Sequence, residues 1–312
     1  MNWLDELRTD FSGWYTWQAT DHVQLEVFCC RGHSAGPLAL ITAGVHGDEY
    51  EGPAAVFSLT DSFSPDRLHG TVVAVPVANP SAFDAGTRLH PIDGLNLART
   101  FPGNARGSPT EQLAAAIFDG LAVHADYLID LHSGGIEYLF SPVAGFYGVA
   151  SEDNPSFKAA RSFGLPLLWR LPVTNGVLSY EVWRRGKIAI GTEYGGAGQL
   201  SESGISDYRD GIIRCLSKWG LLAPISTQRG VTAAFDGVWE LASVPGIFRA
   251  HCRIGDMVEK GTPLAATIGT RGEIQQEFVC RCDGIILGLR SKARIGRGDW
   301  AILVGKRVEL DA

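Results

Sequence analysis

The sequence predicts an α/β fold in which a mostly parallel mixed sheet is flanked by helices, with a smaller all-β module at the C-terminal end. Three observations lead to this prediction. Short apolar runs alternate with helical segments as far as Pro224, as they do in α/β proteins. The helical periodicity then stops. From Gly230 onward, short alternating runs are separated by glycines, a pattern typical of β-structure. We therefore predict two domains, at residues 1–224 and 225–312.

Four apolar runs are the predicted strands of the sheet, at residues 38–42, 71–77, 127–131 and 188–193. The clearest helix signal is the segment SPTE at residues 108–111. Ser108 can cap a helix there, Pro109 suits its first turn, and Glu111 completes a capping box ahead of residues 113–123. Further helices are predicted at residues 52–61, 156–163 and 206–222.

Composition and charge exclude several classes of protein. A hydrophobic content of 45% provides for a sizeable core. The formal net charge is -7 and no run of lysines and arginines is present, so we expect no nucleic-acid partner. Residues 1–17 mix charged and aromatic side chains, unlike a secretory signal, and no apolar run approaches the roughly 18 residues of a membrane span. We expect a cytoplasmic protein without a membrane partner, and the sequence leaves a homo-oligomer open.

The strongest chemical signal is the segment AGVHGDEYEG at residues 43–52, directly after the first predicted strand. A strand that ends at a glycine-flanked turn presents His46 and Glu49 at the carboxyl edge of the sheet, where open α/β folds bind ligands. Because Gly47 permits a sharp turn, both side chains can contact one metal ion. The segment DLHSGG at residues 130–135 ends another predicted strand and brings His132 to the same edge.

Two histidines and one glutamate form a ligand set typical of catalytic zinc, because they leave the fourth tetrahedral position open for water. We therefore predict one Zn²⁺ per chain, bound by His46, Glu49 and His132. Asp130, two residues before His132, is placed to orient a ligand.

The segment GTEYGG at residues 191–196 supplies the predicted general base, Glu193. Zinc lowers the pKa of its water to roughly 7, so a nearby carboxylate suffices to take the proton and pass it to the leaving nitrogen. A long connection at residues 87–103 contains Arg88, Asn96 and Arg99. Such side chains suit recognition of a substrate carboxylate and carbonyl.

Together these four segments resemble the succinylglutamate desuccinylase/aspartoacylase family, relatives of the zinc carboxypeptidases, over about residues 38–200. The resemblance implies a zinc-carboxypeptidase-like fold, zinc ligation by the two histidines and Glu49, and Glu193 as general base. It also implies that Arg88 helps to polarise the scissile carbonyl and that Arg99 contacts the substrate.

One position departs from the family pattern. Ala98 stands where the family usually has an asparagine that contacts the substrate. The usual acidic N-acyl amino acid is therefore in doubt as the substrate, whereas the zinc chemistry is untouched. Family members with the same C-terminal module often deacylate N-acetylated diamino acids, and the resemblance implies a similar small-molecule amide.

The C-terminal segment GDMVEKGTPL, at residues 255–264, resembles the hairpin of biotinyl/lipoyl-type barrel-sandwich hybrids. The resemblance implies a barrel-sandwich-like module. No lysine lies between residues 268 and 278, where a carrier domain would present one, so we favour a covering or assembly role.

The six cysteines are interpreted as reduced thiols. Cys280 and Cys282 share one strand face and could form a second, structural zinc site with His251 and Cys252. That spacing matches no known ligand pattern, and buried free thiols are the favoured interpretation.

The predicted function is removal of an N-acyl group from a small amino acid or diamino acid by a zinc-dependent amidohydrolase. One alternative is a metallocarboxypeptidase acting on peptides, which a cavity closed by the β module would oppose. The other is a non-catalytic metal-dependent binding protein, conceivable because of Ala98. The presence of Glu193 opposes that alternative, because a binding protein needs no base.

Overall fold

The computed structural model describes residues 10–226, 230 and 233–309, which form sixteen strands and six α-helices. The strands are β1 (Ser12–Thr20), β2 (Val23–Arg31), β3 (Ser34–Thr42), β4 (His69–Val75), β5 (Tyr127–Leu131), β6 (Tyr138–Phe146), β7 (Leu167–Arg170), β8 (Ile188–Gly196), β9 (Ala233–Leu241), β10 (Gly246–Ala250), β11 (Met257–Val258), β12 (Pro263–Ile268), β13 (Ile274–Val279), β14 (Gly284–Arg290), β15 (Arg294–Ile295) and β16 (Trp300–Val308). The helices are α1 (Glu51–Leu59), α2 (Pro80–Ala85), α3 (Pro109–Gly120), α4 (Pro155–Phe163), α5 (Leu178–Trp183) and α6 (Glu202–Lys218).

Four parallel strands form the centre of the larger sheet, in the order β4-β3-β5-β8. Their residues are apolar on both faces because helices cover both sides. One apolar core packs against α1, α4 and α6, and the other packs against α3 and α5. The predicted strands and long helices all occur here, and Glu111 receives the backbone N–H of Ser108 at 2.8 Å, as the predicted capping box requires.

The prediction of a mostly parallel sheet is wrong for the sheet as a whole. Among the described strands, the larger sheet has five parallel and seven antiparallel pairings. The antiparallel pairings come from the β1–β2 hairpin at one edge, from β6 against β8, and from strands of the C-terminal segment at the other edge. The sequence interpretation rested on the four apolar central strands, and strands with one wet face give a weaker signal.

Five strands of this sheet close into a ring, in the order β6-β7-β9-β16-β14. The ring closes because β14 pairs back onto β6, with Leu289 opposite Leu139. An apolar cluster that includes Phe140, Trp169 and Leu303 lies within these strands. The C-terminal segment therefore builds part of the same sheet as the strands that precede it in the chain.

From residue 233 to residue 309, the described chain has strands and no helix. A second sheet, in the order β13-β12-β10-β15, shares an apolar core with β14 and β16 through Phe248, Leu264 and Ile302. The division into domains at residues 224 and 225 stays a prediction.

All six cysteines lie within the described residues and are free thiols, as predicted. Cys29 and Cys30 are neighbours on β2 and face opposite cores, so their side chains point apart. Within residues 10–226 and 233–309, no helix combines the length and apolar character needed to cross a membrane.

Candidate active site

The three predicted metal ligands meet at the carboxyl edge of the parallel strands. His46 and Glu49 lie in the turn between β3 and α1, and His132 directly follows β5. Thr42 pairs with Asp130 across the parallel strands β3 and β5. The residues that follow these two strands therefore lie close together at the carboxyl edge of the sheet. One ligand atom from each of His46, Glu49 and His132 lies within 4.8 Å of the other two. His46 and Glu49 are each 2% exposed.

Two glycines shape the turn that carries His46 and Glu49. Gly44 has a φ of 59°, in the left-handed region that favours glycine. Gly47, which the sequence interpretation assigned to the sharp turn, has another role. A Cβ at Gly47 would overlap the backbone of Ala82 in α2. Gly47 therefore lets α2 pack against the turn, while Gly44 provides its unusual backbone angle.

Glu49 is the hub of the site. Its Oε1 lies 2.7 Å from Nδ1 of His46 and accepts a hydrogen bond from Arg88 Nη1 at 3.0 Å. Its Oε2 lies 3.0 Å from Nδ1 of His132 and accepts the backbone N–H of Ser133 at 3.0 Å. The carboxylate is therefore fixed between the two imidazole rings.

The other ring nitrogens of both histidines also have partners. Nε2 of His46 lies 3.0 Å from Oδ1 of Asn96, an oxygen that also accepts the backbone N–H of Ala98 at 2.9 Å. Nε2 of His132 lies 3.2 Å from Oδ2 of Asp130. Because these partners are acceptors, each Nε2 is placed to donate a proton, and Nδ1 of each ring faces a carboxylate oxygen of Glu49.

This arrangement fits a metal ion. Burial, assisted by the Arg88 guanidinium, lowers the pKa of His46 to about 4, so the ring is neutral at neutral pH and its Nδ1 faces a carboxylate oxygen. Two acceptor atoms in contact repel unless a cation lies between them. Burial opposes a charge on His132, but Asp130 and Glu49 outweigh burial and raise the pKa of His132 well above its ordinary value. The site thus favours positive charge between the rings, and two imidazoles with a carboxylate are a zinc ligand set.

Glu193 lies inside β8, one residue beyond the part of that strand that pairs with β5. Its carboxyl group lines the same cavity as His46 and His132. Burial and the negative charge of Glu49 raise the pKa of Glu193 to about 8. Oε2 of Glu193 has no hydrogen-bond partner among the described residues. A carboxyl group with a pKa near neutrality and an unused oxygen is suited to proton transfer.

The predicted substrate residues fall into two groups. Arg88 and Arg99 line the cavity, and so does Ala98, which is 4% exposed. Burial lowers the pKa of Arg99, and the guanidinium of Arg88 acts in the same direction. Asn96 instead lies beside His46, where its side-chain oxygen is already used twice, rather than on the cavity wall.

The cavity has a volume of about 320 Å³. Besides His46, His132, Glu193 and the two arginines, it is lined largely by apolar and aromatic side chains that the sequence interpretation missed. Five of them form an aromatic wall, defined here as Tyr138, Phe140, Trp169, Trp239 and Trp300. Tyr138 and Phe140 lie two residues apart on β6, a spacing that places them on one face. No spacing in the sequence links Trp239 and Trp300 to the site, because the ring of strands brings them there.

The second metal site considered from the sequence is not formed. Among the residues that the structure describes, the His46, Glu49 and His132 set is the one group of three close metal-binding side chains. Sγ of Cys280 instead donates to the backbone oxygen of Cys282 at 3.0 Å. The thiols of the C-terminal segment are therefore free, which was the favoured interpretation.

Comparison with known proteins agrees with this geometry. The sequence model of the succinylglutamate desuccinylase/aspartoacylase catalytic domain matches residues 35–219. The N-alpha-acetyl-L-2,4-diaminobutyric acid deacetylase of Halomonas elongata is 31% identical in an alignment of 286 positions that covers 88% of this chain and 83% of the relative.

Two solved structures share the fold over nearly the whole chain. The succinylglutamate desuccinylase/aspartoacylase from Rhodobacter sphaeroides superposes with a TM-score of 0.83 at 26% identity and covers 97% of each chain. The product-bound ectoine utilization protein EutE (DoeB) from Ruegeria pomeroyi also has a TM-score of 0.83, at 29% identity, with 95% of this chain and 94% of that chain covered.

Proposed function

Because the chain belongs to the succinylglutamate desuccinylase/aspartoacylase family, we propose that it is a zinc-dependent deacylase that hydrolyses the amide bond of a small N-acyl amino acid or diamino acid. The observation that carries this proposal is the placement of Glu193 in one cavity with His46 and His132. A base beside a three-ligand metal site is the arrangement that metal-assisted amide hydrolysis uses.

His46, Glu49 and His132 would hold the zinc ion. When bound, zinc supplies Lewis acidity and lowers the pKa of a water molecule to roughly 7. Asn96 and Asp130 orient the two imidazole rings by accepting their Nε2 protons. We therefore assign Asn96 to positioning His46 instead of the substrate contact predicted from the sequence.

Glu193 moves the protons of the reaction. Its free oxygen accepts a proton as water attacks the acyl carbon, and the same carboxyl group delivers that proton to the amide nitrogen. The C–O bond forms, the C–N bond breaks, and the products are a carboxylate and a free amine. The pKa near 8 brings Glu193 close to the balance between acid and base that both steps need.

The two arginines on the cavity wall are the proposed contacts for the negative charge of the substrate. Arg88 is tied to Glu49, so its guanidinium is held beside the metal ligands, where an oxyanion would develop. Arg99 bonds the carbonyl of its neighbour Ala98 at 2.8 Å and keeps donors directed to the cavity side, where a carboxylate could bind.

The shape of the cavity favours a small substrate over a peptide. Trp239 and Trp300, both from the C-terminal segment, line the cavity and limit its volume to about 320 Å³. An extended peptide needs an open groove, so this observation opposes the metallocarboxypeptidase alternative. The unpartnered oxygen of Glu193 opposes a non-catalytic binding protein.

The test is release of free amine from a panel of N-acetyl, N-formyl and N-succinyl amino acids and diamino acids, with blocked dipeptides alongside. We expect turnover of a small N-acyl compound that a chelator abolishes and added zinc restores. Turnover of peptides alone would support the carboxypeptidase alternative. No turnover of any compound by zinc-loaded protein would contradict the proposal.

A further inference from the structure

The C-terminal segment gives the cavity a feature that metal chemistry alone does not need. We propose that the aromatic wall is a specificity subsite for an apolar group of the substrate, aromatic or branched aliphatic, in a reaction that rests on the deacylase activity proposed above. The wall then selects among N-acyl compounds, while the metal ligands and Glu193 act on the amide that all of them share.

The aromatic wall is continuous. The rings of Trp239 and Trp300 stack with centroids 4.3 Å apart, and Trp169 meets Trp239 edge-on at 6.5 Å. Phe140 packs edge-on against Trp239 at 6.3 Å, and Tyr138 lies 6.1 Å from Trp300. Trp239 and Trp300 are only partly buried, and the cavity is among the surfaces that they face. Apolar surface left facing a cavity is a binding surface for an apolar group.

The wall depends on both parts of the chain. Tyr138 and Phe140 come from β6 and Trp169 from β7, whereas Trp239 and Trp300 come from β9 and β16. These strands become neighbours because the ring of β6, β7, β9, β16 and β14 is closed. The C-terminal segment thus contributes directly to the substrate cavity.

The charges around the cavity oppose a cationic group at the wall. Among the described residues lining the cavity, Glu193 is the one carboxylate, whereas Arg88 and Arg99 both carry positive charge. The guanidinium of Arg290 lies 5.6 Å from the centre of the Tyr138 ring, so a cation already uses one face of that ring. Trp239 and Trp300 each give one face to the other. An uncharged apolar group avoids the electrostatic cost of placing another cation close to these arginines.

The residue at position 98 is consistent with this charge pattern. The methyl side chain of Ala98 lines the cavity and offers no hydrogen-bond donor or acceptor. The arginines can bind a carboxylate, and the rings of the aromatic wall offer apolar contact. A substrate that combines one carboxylate with one apolar group matches both parts of the cavity.

The experiment measures kcat/KM of the zinc-loaded full chain for N-acetylglycine, N-acetyl-L-leucine, N-acetyl-L-phenylalanine, Nα-acetyl-L-2,4-diaminobutyrate and phenylacetylglycine. We expect at least one compound with an apolar group to exceed N-acetylglycine and the diaminobutyrate by about tenfold or more, the range that apolar pockets give. Leucine and phenylalanine compounds report an apolar group on the amine side, and phenylacetylglycine reports one on the acyl side.

The same panel is then measured for Trp300→Ala and for the control Trp14→Ala, a tryptophan on β1 that is 44% exposed and does not line the cavity. We expect Trp300→Ala to lower the ratio of kcat/KM between the preferred apolar compound and N-acetylglycine by about tenfold. Trp14→Ala should keep the wild-type ratio. If Trp300→Ala does not fold, Trp300→Leu and Trp300→Phe replace it. The kcat/KM ratio should then fall more in the Trp300→Leu variant than in the Trp300→Phe variant.

Each outcome separates the two proposals. Preference for the diaminobutyrate, or equal use of all compounds, would overturn the apolar subsite and leave the deacylase activity standing. An unchanged ratio in the folded Trp300 variants would overturn the role of the wall. Absence of turnover for every compound, N-acetylglycine included, would overturn the deacylase activity and the subsite together.

Discussion

Nδ1 of His46 lies 2.7 Å from Oε1 of Glu49, and the second nitrogen of the same ring is committed to Asn96. A neutral imidazole in this position directs a lone pair at a carboxylate oxygen, an arrangement that a bound cation would stabilise. Nδ1 of His132 lies 3.0 Å from Oε2 of the same carboxylate, and although burial opposes a charge on that ring, the negative charges of Asp130 and Glu49 raise its pKa. The carboxylate of Glu49 therefore links the ends of β3 and β5, which are distant in the sequence.

Metal removal is expected to destabilise the protein. An ion that binds only the folded state adds about 2.7 kcal/mol to the free energy of unfolding when its free concentration is about one hundred times Kd. We expect a chelator to lower the thermal unfolding temperature, zinc to restore it, and calorimetry to show one ion per chain. His46→Ala should abolish the zinc-dependent stabilisation. An equal zinc effect in the variant would place the ion elsewhere.

Replacing the proposed base should slow catalysis without removing the metal. We expect Glu193→Gln to lower kcat by a factor of about 100 to 10,000, because the amide cannot take and return the proton. Zinc content, measured by atomic absorption, should stay at the wild-type value. Glu277→Gln, an exposed change on β13, is the matched control and should keep wild-type kcat. Near-normal kcat in Glu193→Gln would assign the base to another group.

Replacing Asn96 distinguishes its two proposed roles, contact with the substrate and positioning of His46. Asn96→Ala removes the acceptor for Nε2 of His46 and for the N–H of Ala98. Because partners of this kind orient ligands, we expect zinc affinity to fall by about 10- to 100-fold in a competition assay with a chromophoric chelator. A raised KM with unchanged zinc affinity would instead support direct contact with the substrate.

Asp93 should make stability depend on pH in the acid range. Burial opposes its charge, but hydrogen bonds from the side chain and backbone of Thr110 outweigh burial and lower the pKa of Asp93 to about 2. A folded pKa below the unfolded value stabilises the protein above the unfolded pKa, and this stabilisation is lost as the pH falls through the folded pKa.

We therefore expect Asp93→Asn to cost about 2 kcal/mol of unfolding free energy at neutral pH, since one pKa unit corresponds to about 1.4 kcal/mol. The difference between wild type and variant should narrow as the pH falls below about 4. Urea unfolding of both proteins at neutral pH and at about pH 3 measures this difference in unfolding free energy. A difference that stays constant over this range would show that the lost contacts do not depend on ionisation.

The grouping of His46, Glu49 and His132 could be predicted from the sequence because these residues lie next to strong local signals. His46, Glu49 and His132 each follow an apolar strand in a glycine-containing segment, and parallel strands bring their carboxyl ends to one edge. The contact between Asp130 and His132 follows from their two-residue spacing at the end of β5. The central strands and the long helices are also predictable from local signals, namely apolar runs and helix caps.

The rest of the cavity could not be predicted, because it depends on pairing between distant strands. Nothing local in the sequence shows that β14 pairs with β6, and without that pairing Trp239 and Trp300 are ordinary aromatic residues of a β-rich segment. The antiparallel edges of the sheet were missed for the same reason. The contact of Asn96 with His46 also depends on how a loop folds back, which spacing does not determine.

The closed ring of strands has a consequence for synthesis of the protein. All three metal ligands have left the ribosome well before Trp300, which belongs to the last strand of the ring. A nascent chain therefore contains a complete ligand set before it contains a finished cavity. The selection that we propose for the aromatic wall therefore requires nearly the whole chain, whereas the proposed metal ligands and Glu193 are made much earlier.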